Sequence, residues 1–140
     1  MANVLDFVRW CTAALTGLAG FLWGDLDGLL LALIAFMALD YITGVVVGWF
    51  RRTLSSSTGF QGLAKKGLIL CVVAVGHILD TQLLGGGSSV CRSAVIGFYL
   101  ANEGLSILEN AGNLGLPLPQ KLRAALEQLR DKDTEEESKK

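Results

Sequence analysis

The stretch at residues 29–50 places the strongest constraint on how this chain folds. It is 22 residues long, almost entirely apolar, and carries one acid, Asp40, near its middle. An α-helix rises about 1.5 Å per residue, so about 20 residues cross the hydrocarbon core of a bilayer. The stretch therefore predicts a membrane-spanning helix with a carboxyl group near the midplane. A charged side chain there costs about 2.5–3.5 kcal/mol on insertion scales, so Asp40 needs a partner or a proton.

Small residues lie on the same predicted helix face as Asp40. Gly44 and Gly48 follow it at i+4 and i+8, and side chains at these spacings lie above one another on a helix. Small residues four positions apart let two membrane helices approach closely. We therefore expect this face to pack against another helix, either of the same chain or of a second subunit.

Composition favours one small membrane domain. Hydrophobic residues make up 51% of the chain, and its 17 glycines interrupt long apolar stretches, which membrane helices tolerate better than soluble ones. A net charge of −1 gives no reason to propose nucleic-acid binding. The three cysteines show no C-x-x-C spacing, and Cys11 and Cys71 fall in apolar helices, where we expect them to be buried small residues. The first residues lack a basic region and a clear cleavage site, so we expect no cleaved signal peptide.

The pattern predicts four apolar segments, at residues 4–23, 29–50, 67–84 and about 93–108. The first has only 14 uncharged residues, 10–23, which is short for a span. It either crosses with Arg9 snorkelling to the interface or lies on the surface as an amphipathic helix. The spacing of Thr58 and Gln61 matches a capping box and predicts that the third helix starts at Thr58.

Positive charge orients these segments. The loop between the second and third segments contains four cations, whereas the turn at residues 24–28 contains none. The positive-inside rule places this loop in the cytoplasm, so residues 29–50 run from outside to inside and the C-terminus is cytoplasmic. We expect Lys65 and Lys66 to snorkel toward the interface. The loop cations set the topology and could also bind anionic lipid headgroups; they are Arg51, Arg52, Lys65 and Lys66.

The predicted fold class is all-α. It is a small polytopic membrane protein with three to four transmembrane helices and a C-terminal amphipathic helix. We expect a transmembrane domain at residues 1–115, a cytoplasmic amphipathic helix at residues 116–130, and a disordered charged tail at residues 131–140. The amphipathic helix could dock on the inner leaflet, on a neighbouring subunit or on its own chain.

Polar residues within the apolar segments are the candidates for function. One interpretation is a proton relay or ion site, because intramembrane ionisable residues usually face a cavity or a partner. The other is packing: polar side chains hydrogen-bonded between helices or subunits, worth about 0.6 kcal/mol each. His77 and Asp80 are three residues apart and can touch on one helix face. The set comprises Asp40, Thr43, His77, Asp80, Asn102, Glu103 and Glu109.

Enzyme motifs are missing from the sequence. It has one histidine and no G-x-S-x-G, H-E-x-x-H, Cys/His metal set or phosphate-binding glycine loop. We therefore expect no catalytic residues, no metal and no cofactor.

Several motifs in order resemble the toxin-secretion/phage-lysis holin family. An LDYITG motif containing Asp40 and Tyr41 precedes a basic, Ser-rich loop. A motif of the form S-x-x-G-x-x-G-L-x-K-K follows from Ser56, and an H-x-x-D end follows at His77 and Asp80. The later stretch FYLANEGLSILENAGNLGLPLPQKL, residues 98–122, also resembles the family. The resemblance covers residues 27–129, which is most of the chain.

This resemblance implies a holin of the bacterial cytoplasmic membrane. Such proteins accumulate, oligomerise at a set time and open lesions through which endolysin escapes, without a required direct contact with endolysin; some relatives are implicated in toxin release. The expected partners are other copies of the chain and the bilayer. As hypotheses, Asn102 and Glu103 line a seam or lumen. Oligomer or helix contacts would involve Asp40, Tyr41, Thr43, Gly44 and Gly48.

Two other functions remain open at the level of sequence. A small four-helix transporter or exporter coupled to protons would use an intramembrane Asp or Glu as its coupling site. A structural accessory subunit of a membrane complex would show neither lysis nor transport.

Overall fold

The computed structural model describes residues 1–137, with side chains for residue 1 and residues 3–129. The described part is helical and contains no strand. Three helices are long and apolar enough to cross a membrane: Asn3–Trp23, Gly28–Phe50 and Ser56–Leu83. This confirms the predicted all-α membrane fold. The helices are α1 (Ala2–Trp23), α2 (Gly28–Phe50), α3 (Ser56–Ile78) with a π-helical turn (Leu79–Leu83), α4 (Val90–Asn113) and α5 (Gln120–Glu137).

Helices α2 and α4 run parallel along their whole length. Asp27, just before α2, contacts Arg92 at the start of α4, and Arg51, just after α2, contacts Asn113 at the end of α4. Helix α3 runs antiparallel to both. We call the two ends of this bundle the Arg92 end and the Arg51 end. With 24 residues, α4 is about 36 Å long, so it extends as deep as α2.

The starts of α2 and α3 are capped by the side chains of their N-cap residues. Asp27 caps α2 by accepting a hydrogen bond from the Leu30 amide. The predicted start of the third helix at Thr58 is wrong: Ser55 is the N-cap and accepts from the Thr58 amide, so α3 begins at Ser56. Ser55 supplies this cap because its hydroxyl reaches the third amide of the helix, the geometry that N-caps use.

The apolar core lies between the Arg92 end and the middle of the bundle. Leu33, Val73 and Ile96, from three different helices, are fully buried at 0% exposure. Leu30, Met37 and Ile69 complete the core. Because every one of these residues comes from α2, α3 or α4, the three helices form one packed unit.

Helices α1 and α5 lie on the outside of this unit. Helix α1 contacts α3, and the Trp23 indole donates a hydrogen bond to the Leu70 carbonyl at 2.8 Å. Most of its other apolar side chains are exposed. Helix α5 folds back along α4, with Leu126 against Gly104. It continues to Glu137, beyond residue 130 where the sequence predicts its end; residues 138–140 of the predicted disordered tail lie outside the described residues.

Candidate functional site: an ion-paired cleft between three helices

Three charged side chains from three helices meet at the middle of the bundle. The Lys66 ammonium of α3 lies 2.7 Å from Oδ2 of Asp40 in α2 and also contacts Oε2 of Glu103 in α4. The three side chains retain only 11–17% exposure. Lys66 thereby supplies the counter-charge that a carboxylate at this depth requires. We call this group the charge triad.

Asn110 extends the triad toward the Arg51 end. Its amide donates to Oγ1 of Thr43 at 3.0 Å and to Oδ1 of Asp40 at 3.3 Å. The Thr43 hydroxyl in turn donates to the Asp40 carbonyl. Asp40 is therefore held by groups from both α3 and α4, which fixes its rotamer.

The four cations of the 51–66 region do not act alike in the structure. Lys65 and Arg52 are exposed, and Arg51 donates to the Asn113 side chain at 2.9 Å. Lys66 does not snorkel outward as expected but points inward to the triad. Its helix face explains the difference, because Ile69 and Val73 at i+3 and i+7 are core residues, whereas Lys65 is offset by about 100°.

The glycine stripe on α2 faces the chain's own helices. A Cβ at Gly44 would lie 3.8 Å from the Asn110 amide, and one at Gly48 would lie 3.0 Å from Cδ1 of Leu54. Tyr41, next to Asp40, lies over Gly59 and Gly62 of α3. These residues thus pack α2 against α3, α4 and the following loop within one chain.

A cleft of about 680 Å³ opens beside the triad. Its walls come from α2, α3 and α4, and it extends toward the Arg51 end, where Thr53 and Thr58 line it. Asn102, Glu103 and Ser106 contribute polar groups from α4. The predicted Asn102–Glu103 pair therefore does border an open space, although that space lies within one chain.

A second polar cluster closes the Arg92 end. The guanidinium of Arg92, 4% exposed, donates to both carboxylate oxygens of Asp27 and to the Trp23 and Asp25 carbonyls. These bonds join the turn between α1 and α2 to the start of α4. We call this cluster the Arg92 clamp.

The clamp lowers the pKa of Asp27. The hydrogen bond from Arg92 is the largest cause, followed by the bond from the Leu30 amide, and together they hold the pKa below its ordinary value of 3.8. Asp27 is thus a carboxylate at neutral pH and completes the pairing of the buried guanidinium.

Asp80 caps α4 from a distance in sequence. Its two carboxylate oxygens accept from the Cys91 and Arg92 amides at 3.0 and 2.8 Å. No hydrogen bond joins His77 to Asp80 within the described part of the chain. The imidazole packs on Gly24 instead, where a Cβ would lie 2.7 Å from Cε1. Gly24 also has φ +74°, so this turn requires glycine for two reasons.

Sequence reasoning missed three contributors to these sites. Local pattern gave no sign that Arg92 pairs with the acids of the 24–28 turn, because 65 residues separate it from Asp27. Lys66 was assigned to the headgroup region. Asn110 was noted as part of a family motif, without a partner. The signal for Lys66 was available, because it shares a helix face with Gly62, Ile69 and Val73.

The arrangement is suited to structural and ionic roles. Among the residues whose side chains the structure describes, no group of three or more His, Cys, Asp or Glu is placed to hold a metal ion. The charge triad and the cleft instead bring charge and open space together at the depth of the membrane centre.

Comparison with known proteins gives consistent results. The model of the bacteriophage holin family matches residues 17–131. A 14.9 kDa protein of Clostridium perfringens is 42% identical over 132 residues, covering 94% of this chain and 99% of the relative. A probable holin of Bacillus phage phi105 is 37% identical over 99 residues, covering 71% of each chain. No solved structure matches the chain.

Proposed function

Because this chain belongs to the bacteriophage holin family, we propose that it oligomerises in the bacterial cytoplasmic membrane and permeabilises it, releasing endolysin or a toxin and triggering lysis. The observation that carries the proposal is the extent of the family match, residues 17–131, which includes all of α2, α3 and α4. The charge triad and the cleft lie inside this region. The helices supply the membrane domain, with the Arg51 end and the C-terminus on the cytoplasmic side.

Co-expression with a muralytic enzyme tests this function. The chain is induced in a bacterium that also makes a muralytic enzyme lacking any export signal, and the optical density is followed. We expect an abrupt fall in density only when both proteins are present. Either protein alone should leave the wall intact. A culture that makes both proteins, with the chain verified in the membrane, and does not lyse would overturn the proposal.

The glycine stripe offers a sharper test of how the lesion forms. Gly44 and Gly48 pack within one chain, so self-association through them would require α2 to move away from its present partners. We expect Gly44→Leu or Gly48→Leu to abolish lysis or shift its time. Gly67→Leu is the matched control, because nothing lies within 4 Å of a Cβ there. Unchanged lysis time and oligomer size in both stripe variants would exclude this role for the stripe.

A proton-coupled transporter is the second candidate, and the charge triad is the observation that favours it. Two carboxylates sharing one lysine beside an open cleft could bind and release a proton. Purified protein in liposomes separates the two functions: stoichiometric proton-coupled uptake of a solute favours the transporter, and leakage of macromolecules favours the holin.

A further inference from the structure

The cleft beside the charge triad is lined by polar groups in the part of the chain that lies at membrane depth. Asn102, Ser106 and Asn110 of α4 form its floor, between apolar walls that include Val45 and Leu68. The charge triad lies along it, and Ile69, Val72 and Tyr99 line its end nearest the apolar core. Such polar groups do not face hydrocarbon without a large cost, because acyl chains offer them no hydrogen bonds.

The accessible surface of the triad side chains faces the cleft. Asp40, Lys66 and Glu103 all line the cleft, and their side chains keep 11–17% exposure. With all three ionised, the triad carries one uncompensated negative charge, which lipid cannot stabilise. Water in contact with the triad would stabilise that charge, and ionisable groups in membrane proteins generally face a water-filled cavity or a partner.

The two ends of the bundle differ in their openness. Toward the Arg51 end, the cleft continues past Gly44 and Gly48 to Thr53 and Thr58, at the loop between α2 and α3. Toward the Arg92 end, the fully buried side chains of Leu33, Val73 and Ile96 fill the space between the helices. Beyond them lies the Arg92 clamp. Two layers, one apolar and one ion-paired, therefore close the space between the helices at this end.

We propose that the cleft is a water-filled vestibule, which enters the membrane from the side of the Arg51 end, passes the charge triad and stops at the apolar core. A volume of about 680 Å³ holds on the order of twenty water molecules at about 30 Å³ each. The apolar core is then the remaining barrier across a single chain. The vestibule is a property of one folded chain. A test of the vestibule can therefore fail while the lysis proposal holds, and the reverse.

Cysteine accessibility tests the vestibule. The background variant carries Cys11→Ala, Cys71→Ala and Cys91→Ser, the last keeping a polar group at α4. Ser106→Cys then places a thiol in the cleft. Leu39→Cys is the matched control, because Leu39 is next to Asp40 at the same depth, is 49% exposed and does not line the cleft. Gly44→Cys is a second cleft variant, in case Ser106→Cys fails to fold.

The probe is a charged, membrane-impermeant methanethiosulfonate reagent, applied to inside-out and right-side-out membrane vesicles. We expect Ser106→Cys and Gly44→Cys to react at least tenfold faster than Leu39→Cys, and only in inside-out vesicles. Rates no faster than Leu39→Cys in both vesicle types would overturn the vestibule. Equal reaction rates from the two sides of the membrane would show that the apolar core does not close the cleft. Reaction only in right-side-out vesicles would show that the cleft does not open on the cytoplasmic side.

Discussion

At the scale of single residues, Lys66 is the side chain on which the membrane core depends most. It is the cation that faces Asp40 and Glu103, which come from two other helices. Removing one partner of a buried ion pair leaves an uncompensated charge, and this typically costs about 3–5 kcal/mol. Partial exposure to the cleft reduces that figure, so we expect a loss of about 2–3 kcal/mol in the free energy of unfolding.

Lys66→Met is expected to lower the midpoint of thermal unfolding in detergent by several degrees, because two carboxylates then face each other without a cation. Lys65→Met is the matched control: it removes the same charge from an exposed neighbour and should change stability by less than about 0.5 kcal/mol. Adding Asp40→Asn and Glu103→Gln to Lys66→Met should restore much of the loss. Equal midpoints for the two lysine variants would contradict the buried triad.

Asp27 provides a pH-dependent test at the Arg92 clamp. Its pKa is lowered in the folded chain, chiefly by the bond from Arg92, so its carboxylate stabilises the fold above the ordinary value of 3.8. This contribution is lost as the pH falls through the lowered pKa. Its side chain is 45% exposed, so solvent screening limits the effect to about 1 kcal/mol or less.

We expect Asp27→Asn to unfold at a lower temperature than the parent chain at pH 7, because asparagine keeps the N-cap but loses the charge that pairs with Arg92. The difference should shrink steadily as the pH is lowered below about 3.8. Unfolding midpoints measured in detergent across this pH range check it. A difference in unfolding midpoint that stays constant with pH would show that the charge of Asp27 does not contribute to the stability of the clamp.

At the scale of helices, α4 shows what hydropathy can and cannot predict. Helices α2 and α3 are recognisable from their apolar length alone. Helix α4 is not among the three helices apolar enough to cross, although it lies along α2 from end to end. Its Arg92, Glu103 and Asn110 are each held by side chains of other segments, and composition cannot report partners that lie 37 to 70 residues away.

The sequence therefore predicted the helices better than their contacts. The amphipathic last helix and the exposure of Arg52 and Lys65 follow from local pattern. The charge triad does not, because residues 40, 66 and 103 become neighbours only when three helices pack. The cap on α4 was missed for the same reason: Asp80 reaches the Cys91 and Arg92 amides across the turn at residues 84–89.

The contact between α3 and α4 depends on Gly76. A Cβ there would lie 3.1 Å from the Arg92 backbone, which cannot move without disturbing the clamp. We expect Gly76→Ala to destabilise the fold by about 1–3 kcal/mol. Gly67→Ala, on the same helix with nothing within 4 Å, should be neutral or slightly stabilising, since alanine favours a helix. Thermal unfolding of the two variants side by side checks this, and equal effects would contradict the close approach.

At the scale of the whole molecule, α5 covers a face of α4 that would contact lipid if α4 spanned the membrane. Ten of the 18 residues of α5 are charged, yet Leu126 packs on Gly104, next to Glu103 of the triad. Lipid at that depth does not solvate such charges. Docking of α5 and insertion of this face into lipid therefore exclude each other, and we expect α5 to leave α4 when the chain inserts.

A disulfide between Gly104→Cys and Leu126→Cys, in a background without the native cysteines, measures this change. We expect the cross-link to form in detergent and to be strongly reduced in bilayers. Gly112→Cys with Leu118→Cys is the matched pair, because a Cβ at Gly112 would lie 3.2 Å from Leu118, near the end of α4. That pair should form in both environments. An equally efficient 104–126 cross-link in bilayers would show that α5 stays docked.

The measurement that tests the central claim most directly is the release of size-graded dextrans from liposomes containing the purified chain. A holin opens lesions wide enough for a folded enzyme, so dextrans of protein size should escape, and Gly44→Leu should reduce their release relative to Gly67→Leu. Retention of every dextran while protons equilibrate across the same liposomes would contradict the account and favour a transporter built on the charge triad.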